Sequence, residues 1–179
     1  MAEPKPFTTA KLICGIIAQK DRFLHCAEER LVRLYGKLDA QSPAFPFELT
    51  DYYEGQMGKN LKRKFLSFTK LIEPETLSRI KIETNRLEKE IKEEFQASSR
   101  IVNIDPGYLT PSSLIMATAK DFAHRVPLEA GIYAHLEFLF GKEEVRSLDW
   151  TYPDFKSKGY QEFFLSVRKI YLAQLRKER

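Results

Sequence analysis

The chain has 179 residues, of which 43% are hydrophobic and 30% charged, and its 29 Lys and Arg against 25 Asp and Glu leave a net charge of +4. That length is enough for one domain with a buried core needing neither disulfide nor metal, and the composition excludes collagen-like, disordered and membrane classes. The mild positive charge is made of closely mixed signs, as in EKEIKEE, so it permits nucleic-acid contact without arguing for it.

The longest apolar run, Leu12 to Ala18 (LICGIIA), is strand-sized and far too short for a membrane span. It lacks the small-residue cleavage site of a signal peptide, so the expectation is a cytoplasmic protein with no membrane partner. Its near-continuous hydrophobicity predicts a central strand covered on both faces. Asp21 then stands where an N-cap belongs, Leu24, Ala27, Leu31 and Leu34 recur at helical spacing, and Gly36 is a stop signal, which predicts a helix over 21–35. Cys14 and Cys26 lie in apolar surroundings without redox or metal spacing and read as buried reduced thiols, not a bridge.

SPAFPFELT reads as a short edge strand, because Pro cannot serve a central ladder. DYYEGQMGKN has no periodicity and reads as a loop, and LKRKFLSFTKLI as a strand over 61–72. Pro74 suits the first position of a helix over 74–97, with Leu77, Ile80, Thr84, Leu87, Ile91 and Phe95 as one stripe. Ile101 to Ile104 begins a strand that Asp105-Pro106-Gly107 should end in a turn. Further strands are expected at 113–120, 124–128, 131–140 and 144–148, with Glu129-Ala130 closing a hairpin, and a last helix over 159–176. The fold expectation is therefore α+β and a single domain over residues 1–179. It starts in ferredoxin-like β-α-β-β-α-β order, with a mostly antiparallel sheet and its helices on one face. A β-rich C-terminal extension and a closing helix follow.

Chemistry-bearing side chains concentrate between Asp105 and Asp154. Strand alternation in IYAHLEFLF points Tyr133, His135 and Glu137 one way and Ile132, Ala134, Leu136, Phe138 and Phe140 the other. An imidazole and a carboxylate on one strand face can act as base and orienter, although one His and one Glu do not complete a metal set. Asn103 and Asp105 share a face of their strand. Lys120, His124 and Arg125 surround a turn and suit an anionic group, with His124 able to move protons near neutrality. Trp150, Tyr152 and Asp154 join aromatic platforms to a carboxylate. The segment from Asp51 through Tyr52, Tyr53 and Glu54 to Gly58 is a lid candidate over the same region.

The Walker, Rossmann, HExxH, GxSxG and CxxC patterns are all absent from the sequence. Lys59, Lys62, Arg63 and Lys64 beside Phe65 and Phe68 resemble the stacking strand of an RNA-binding sheet in composition only, since alternation puts the two Phe on opposite faces. The reading is a small-molecule site for an anionic or nucleotide-like ligand, of unspecified cofactor. Asp105, His124 and Glu137 are the acid/base candidates, and Tyr108, Lys120, Arg125, Tyr133, Trp150, Tyr152 and Asp154 the ligand-binding ones. A non-catalytic homo-oligomeric interaction protein is the alternative, and single-stranded RNA binding comes third.

At IDPGYLTPSSLIMATAKDFAHRV, GIYAHLEFLF and WTYPDF, with TDYYEGQMG and IKIETNRLE, the chain resembles a bacterial family of about this length known only as a domain of unknown function. The Asp105-Pro106-Gly107-Tyr108 and Trp150 to Asp154 segments are similar to that family's signatures. His135 stands where the resemblance implies an acidic residue. The resemblance implies no activity and supplies no catalytic residues.

Overall fold

A computed structural model describes residues 3–50 and 52–177. Strand β1 (Ala10–Ala18) is buried along its whole length, as its apolar run requires. Leu12, Cys14, Ile16 and Ala18 face helices α1 (Asp21–Tyr35) and α3 (Leu77–Glu94), and Leu24, Ala27, Leu31, Ile80, Leu87 and Ile91 supply the helical side of that core. On the opposite face Ile13 packs beneath helix α4 (Lys158–Lys177), whose Phe163, Phe164, Val167 and Tyr171 form its buried stripe. Ile17, farther along, lies under Phe47, Met57 and Leu61. Helices thus cover both faces of the sheet, not one as expected. A central strand apolar on both sides needs cover on both sides.

The remaining strands are β2 (Leu38–Gln41), β3 (Phe45–Pro46), β4 (Lys62–Ile72), β5 (Val102–Leu109), β6 (Ser113–Thr118), β7 (Val126–Pro127), β8 (Tyr133–Phe140) and β9 (Val145–Ser147). Among the described residues they form one open sheet in the order β2-β4-β1-β5-β6-β8-β7, with β3 on β4 and β9 on β8, every pairing antiparallel. The Pro-punctuated segment contributes only the two-residue β3, and the aperiodic loop holds one short helix, α2 (Glu54–Met57). Pro74–Thr76 is a 3-10 turn that leads into α3.

Two local expectations fail for identifiable reasons. Asp105-Pro106-Gly107 is not a turn: β5 runs straight through it, with Asp105 opposite Gly15, Pro106 opposite Cys14 and Gly107 opposite Ile13. The Gly is needed for close approach, since a Cβ at 107 would lie 2.5 Å from the Ile115 carbonyl oxygen and 2.4 Å from the Met116 sulfur. The uniform alternation of 132–140 also breaks. Leu114 pairs with Phe138 but Ile115 pairs with Leu136, so Glu137 is an extra residue in β8, a β-bulge. Past the bulge the parity reverses, and Phe138 and Phe140 join the α4 core on the same face that carries His135. The Glu129-Ala130 hairpin forms as expected, closed through Ala130 and Gly131 at positive φ.

Replacing Gly107 by Ala should push β6 away and destabilise the fold by about 1–3 kcal/mol, the usual range for overpacking. Gly55→Ala, where an added Cβ meets nothing within 4 Å, is the control and should change little. Urea denaturation of the two variants checks the difference.

Candidate functional site

A cavity of about 780 Å³ opens on the α4 face of the sheet, beyond the end of the α4 core. Gly15 lies in its floor between Phe65 of β4 and Asp105 of β5, where an added Cβ would come within 3.1 Å of the Phe65 ring. Phe47, Tyr52 and Tyr53 wall one side, and Tyr152 and Phe155 another. The volume falls within the roughly 300–1,000 Å³ of small-molecule pockets.

The cavity exists because β5 and β6 part. They pair only at Gly107, Tyr108 and Leu109. Ile104 turns its N–H and carbonyl away from β1, and strand parity puts Pro106 on that same side, where it has no N–H to offer a neighbouring strand. Side chains replace the missing strand. Lys81 Nζ donates to the Ile104 carbonyl at 2.7 Å, the Ile104 N–H donates to Glu88 Oε1 at 2.7 Å, and Arg100 Nε donates to the Val102 carbonyl at 3.1 Å. Lys81, Asn85, Glu88, Lys89 and Lys92 recur at helical spacing along α3 and border the opening.

Ionic groups cross the floor. Lys81 Nζ lies 3.2 Å from Asp105 Oδ1, Asn103 Nδ2 donates to Asp105 Oδ2 at 2.6 Å, and Arg63 reaches that oxygen at 3.4 Å while pairing closely with Asp154. Arg63 is sandwiched by Phe47 and Phe155, 4.6 and 5.3 Å from their ring centres. Burial pushes the Asp105 carboxyl up, but Lys81 and Arg63 outweigh it, and hydrogen bonds from Lys81 and Asn103 help hold it below the usual carboxylate value. For Glu88 burial wins, despite Lys81 and Arg100, and its carboxyl is raised. Lining cations (Arg63, Lys81, Lys89, Lys92, Arg100, Lys120) outnumber lining carboxylates (Glu88, Asp105, Glu137, Asp154). Among the described residues Lys89, Lys92 and Lys120 have no carboxylate within 4.0 Å. Lys120 Nζ sits 3.5 Å from the centre of the Tyr52 ring.

The third wall is the β8 bulge. The Glu137 carbonyl accepts the Thr151 hydroxyl, and its Oε1 accepts the Tyr152 N–H at 2.8 Å. Its Oε2 is 3.1 Å from His135 Nε2, yet the two are not aligned as a hydrogen bond, so both atoms are buried without a hydrogen-bond partner. Behind them Arg125 Nε donates to His135 Nδ1 at 3.3 Å, and its other nitrogens hold the Lys120 carbonyl and the Tyr152 hydroxyl. His124 Nε2 stands 3.2 Å from the same Nδ1, with its ring stacked on Trp150 at 5.1 Å. Burial and then the neighbouring His135 and Arg125 lower the pKa of His124. Burial raises that of the Tyr152 hydroxyl.

The structure therefore brings Asp105, Glu137, Lys120, Tyr152 and Asp154 to one cavity, with Asn103 and His135 beside them. His124 and Arg125 stand one layer back and touch it through His135. Trp150 supports His124 and donates to the Leu136 carbonyl. Tyr108 lies on the other side of the sheet, beside Leu77, Ala117 and Ile132, and Tyr133 does not line the cavity. In the lid candidate, Tyr52 and Tyr53 line the wall, and Asp51 is outside the described residues. The basic run of β4 is committed to ion pairs: Lys62 with Asp21, Lys64 with Glu28, and the buried Arg63 with Asp154 and Asp105 in the cavity floor. Sequence reasoning missed Arg63, Lys81, Glu88 and Arg100. The polar spacing along α3 was visible but reads as a solvated helix face until the free edge of β5 is known.

Because the native Asp105 pKa is depressed, its stabilising contribution is complete above the ordinary carboxylate range and is lost as pH falls through the native value. Asp105→Asn should therefore lose stability at neutral pH and show a flatter acid limb than the parent. Chemical denaturation from neutral pH to about pH 3 reads both effects.

No curated protein and no solved structure matches the chain. The family model described as Domain of unknown function (DUF4416) matches residues 8–171, and the chain belongs to that family.

Proposed function

We propose that the protein acts as one domain that binds a small anionic or nucleotide-like molecule in the cavity between β5, β6 and α3. The observation that carries this is charge placement: floor cations are paired with the carboxylates of Asp105 and Asp154, whereas Lys89, Lys92 and Lys120 at the opening have none among the described residues. Unpaired cations around a concave, low-dielectric site attract and concentrate anions. The aromatic walls offer stacking area to a planar group. Further support comes from the cavity's place at a point where the sheet opens, a usual position for ligands. We read β1, α1, β2, β4, α3 and β5 as the ferredoxin-like start, on the strength of the β2-β4-β1-β5 order and its two helical crossovers. The cytoplasmic reading rests on the sequence; Cys14 and Cys26 are not bonded to each other, and no described helix is long and apolar enough to cross a membrane.

Inorganic pyrophosphate is the simplest probe. At a hundred times its dissociation constant it should add about 2.7 kcal/mol, or roughly 5–10 °C in the melting temperature of a chain this size. Lys89→Glu with Lys92→Glu should remove most of that shift without changing the melting temperature of the free protein. No shift with pyrophosphate or nucleotides at millimolar concentration sinks the reading.

The competing reading, a homo-oligomeric interaction protein, rests on Phe122, Val126 and Leu128, exposed beside the short edge strand β7. A monomer by light scattering at micromolar concentration removes it.

A further inference from the structure

The sharpest unexplained feature is the pair of buried, unpartnered atoms at the β8 bulge. His135 is 1% and Glu137 0% exposed, and both line the cavity. His135 Nδ1 faces two nitrogens, His124 Nε2 at 3.2 Å and Arg125 Nε at 3.3 Å; a guanidinium can only donate, so the Arg125 contact assigns Nδ1 as the acceptor. The ring proton of a neutral His135 then sits on Nε2, beside Glu137 Oε2. Glu137 Oε1 is already held by the Tyr152 N–H, so Oε2 is the free acceptor. One donor and one acceptor, 3.1 Å apart and misaligned with each other, are what a hydroxyl group satisfies, since a hydroxyl both donates and accepts.

We propose that His135 and Glu137 recognise a ligand hydroxyl, with Arg125 as the positioning residue that fixes the His135 tautomer, and that the ligand is a phosphorylated polyhydroxy compound. This rests on the anion-binding reading and names its substrate class. The hydroxyl donates to Glu137 Oε2 and accepts from His135 Nε2–H. Its phosphate lies toward Lys89, Lys92 and Arg100. The α3 side of the cavity and β8 are separated by β6, so β5 and β8 lie two strand spacings, about 10 Å, apart where the strands pair at Gly107, and farther apart at Asp105, where β5 and β6 have parted. Long lysine side chains shorten that gap to the reach of a sugar phosphate.

The test compares inorganic phosphate, ribose 5-phosphate and unphosphorylated ribose by calorimetry on the parent and on Glu137→Gln. That variant keeps an oxygen for the Tyr152 N–H and replaces the free acceptor by a donor. Ribose 5-phosphate should bind the parent about tenfold more tightly than phosphate, as expected of one or two hydrogen bonds made to otherwise unsatisfied buried groups. Glu137→Gln should lose that gain and keep its phosphate affinity. Phosphate binding with no gain from the sugar overturns this proposal and leaves the anion reading standing; no binding of either anion overturns both. Ring-nitrogen NMR gives a readout that needs no ligand. His135 of the parent should show the Nε2–H tautomer at neutral pH, and Arg125→Met should shift it toward a mixture. A proton on Nδ1 in the parent overturns the proposal even if Glu137→Gln fails to fold.

Discussion

The free edge of β5 is the constraint on which the rest of the site depends. Backbone groups withdrawn from water must find partners, and a strand that loses its neighbour halfway leaves a row of them. Pro106 cannot donate toward β6, and Gly107 is where the two strands last touch. From there back to Val102, α3 and Arg100 supply the partners with side chains. Charged groups do this best because their hydrogen bonds are stronger and their stems reach farther. The cost is that Lys81 and Glu88 are buried, and each then calls for an opposite charge. Asp105 and Arg100 answer that need.

The cavity floor follows from those pairings. An ion removed from water is tolerable only if it is paired and hydrogen-bonded. Asp105 meets that condition through Lys81, Asn103 and Arg63, and its depressed pKa records the outcome. Arg63 passes the requirement on to Asp154, which the 3-10 turn Pro153–Lys156 carries in just ahead of α4. Elements distant in sequence are thereby tied to one small region. Between the Ile13 and Ile17 clusters, Gly15 on the central strand leaves room for the Phe65 ring, which a Cβ there would meet at 3.1 Å.

Local order was the legible part of the fold. β1, α1, the start and stripe of α3, the last hairpin and α4 follow from periodicity and punctuation, which act over a few residues. The turn signal at Asp105-Pro106-Gly107 misled because the same residues that open turns also end a ladder in the middle of a straight strand. Which they do depends on what lies beside them. The bulge at Glu137 was illegible for the same reason, as it is a mismatch between two strands and not a property of either. Of the site, Asp105 read from β5 and Glu137 read from β8 do meet, whereas Tyr108 and Tyr133, read from the same strands, stay away from the cavity. The α3 contribution could not be read: a charged helix face looks the same whether it meets water or a strand edge.

The arrangement around His135 bears on the sign of the ligand proposed for the cavity. A divalent cation would need several lone pairs converging on one point, and among the described residues no group of three or more His, Cys, Asp or Glu does so. The outer nitrogen of His135 is occupied by a guanidinium, which would repel a cation placed there. What faces inward is one donor, one acceptor and, across β6, an excess of ammonium groups. Hydrogen-bonding groups at one end and uncompensated positive charge at the other are what the proposed ligand, hydroxylated at one end and anionic at the other, would require.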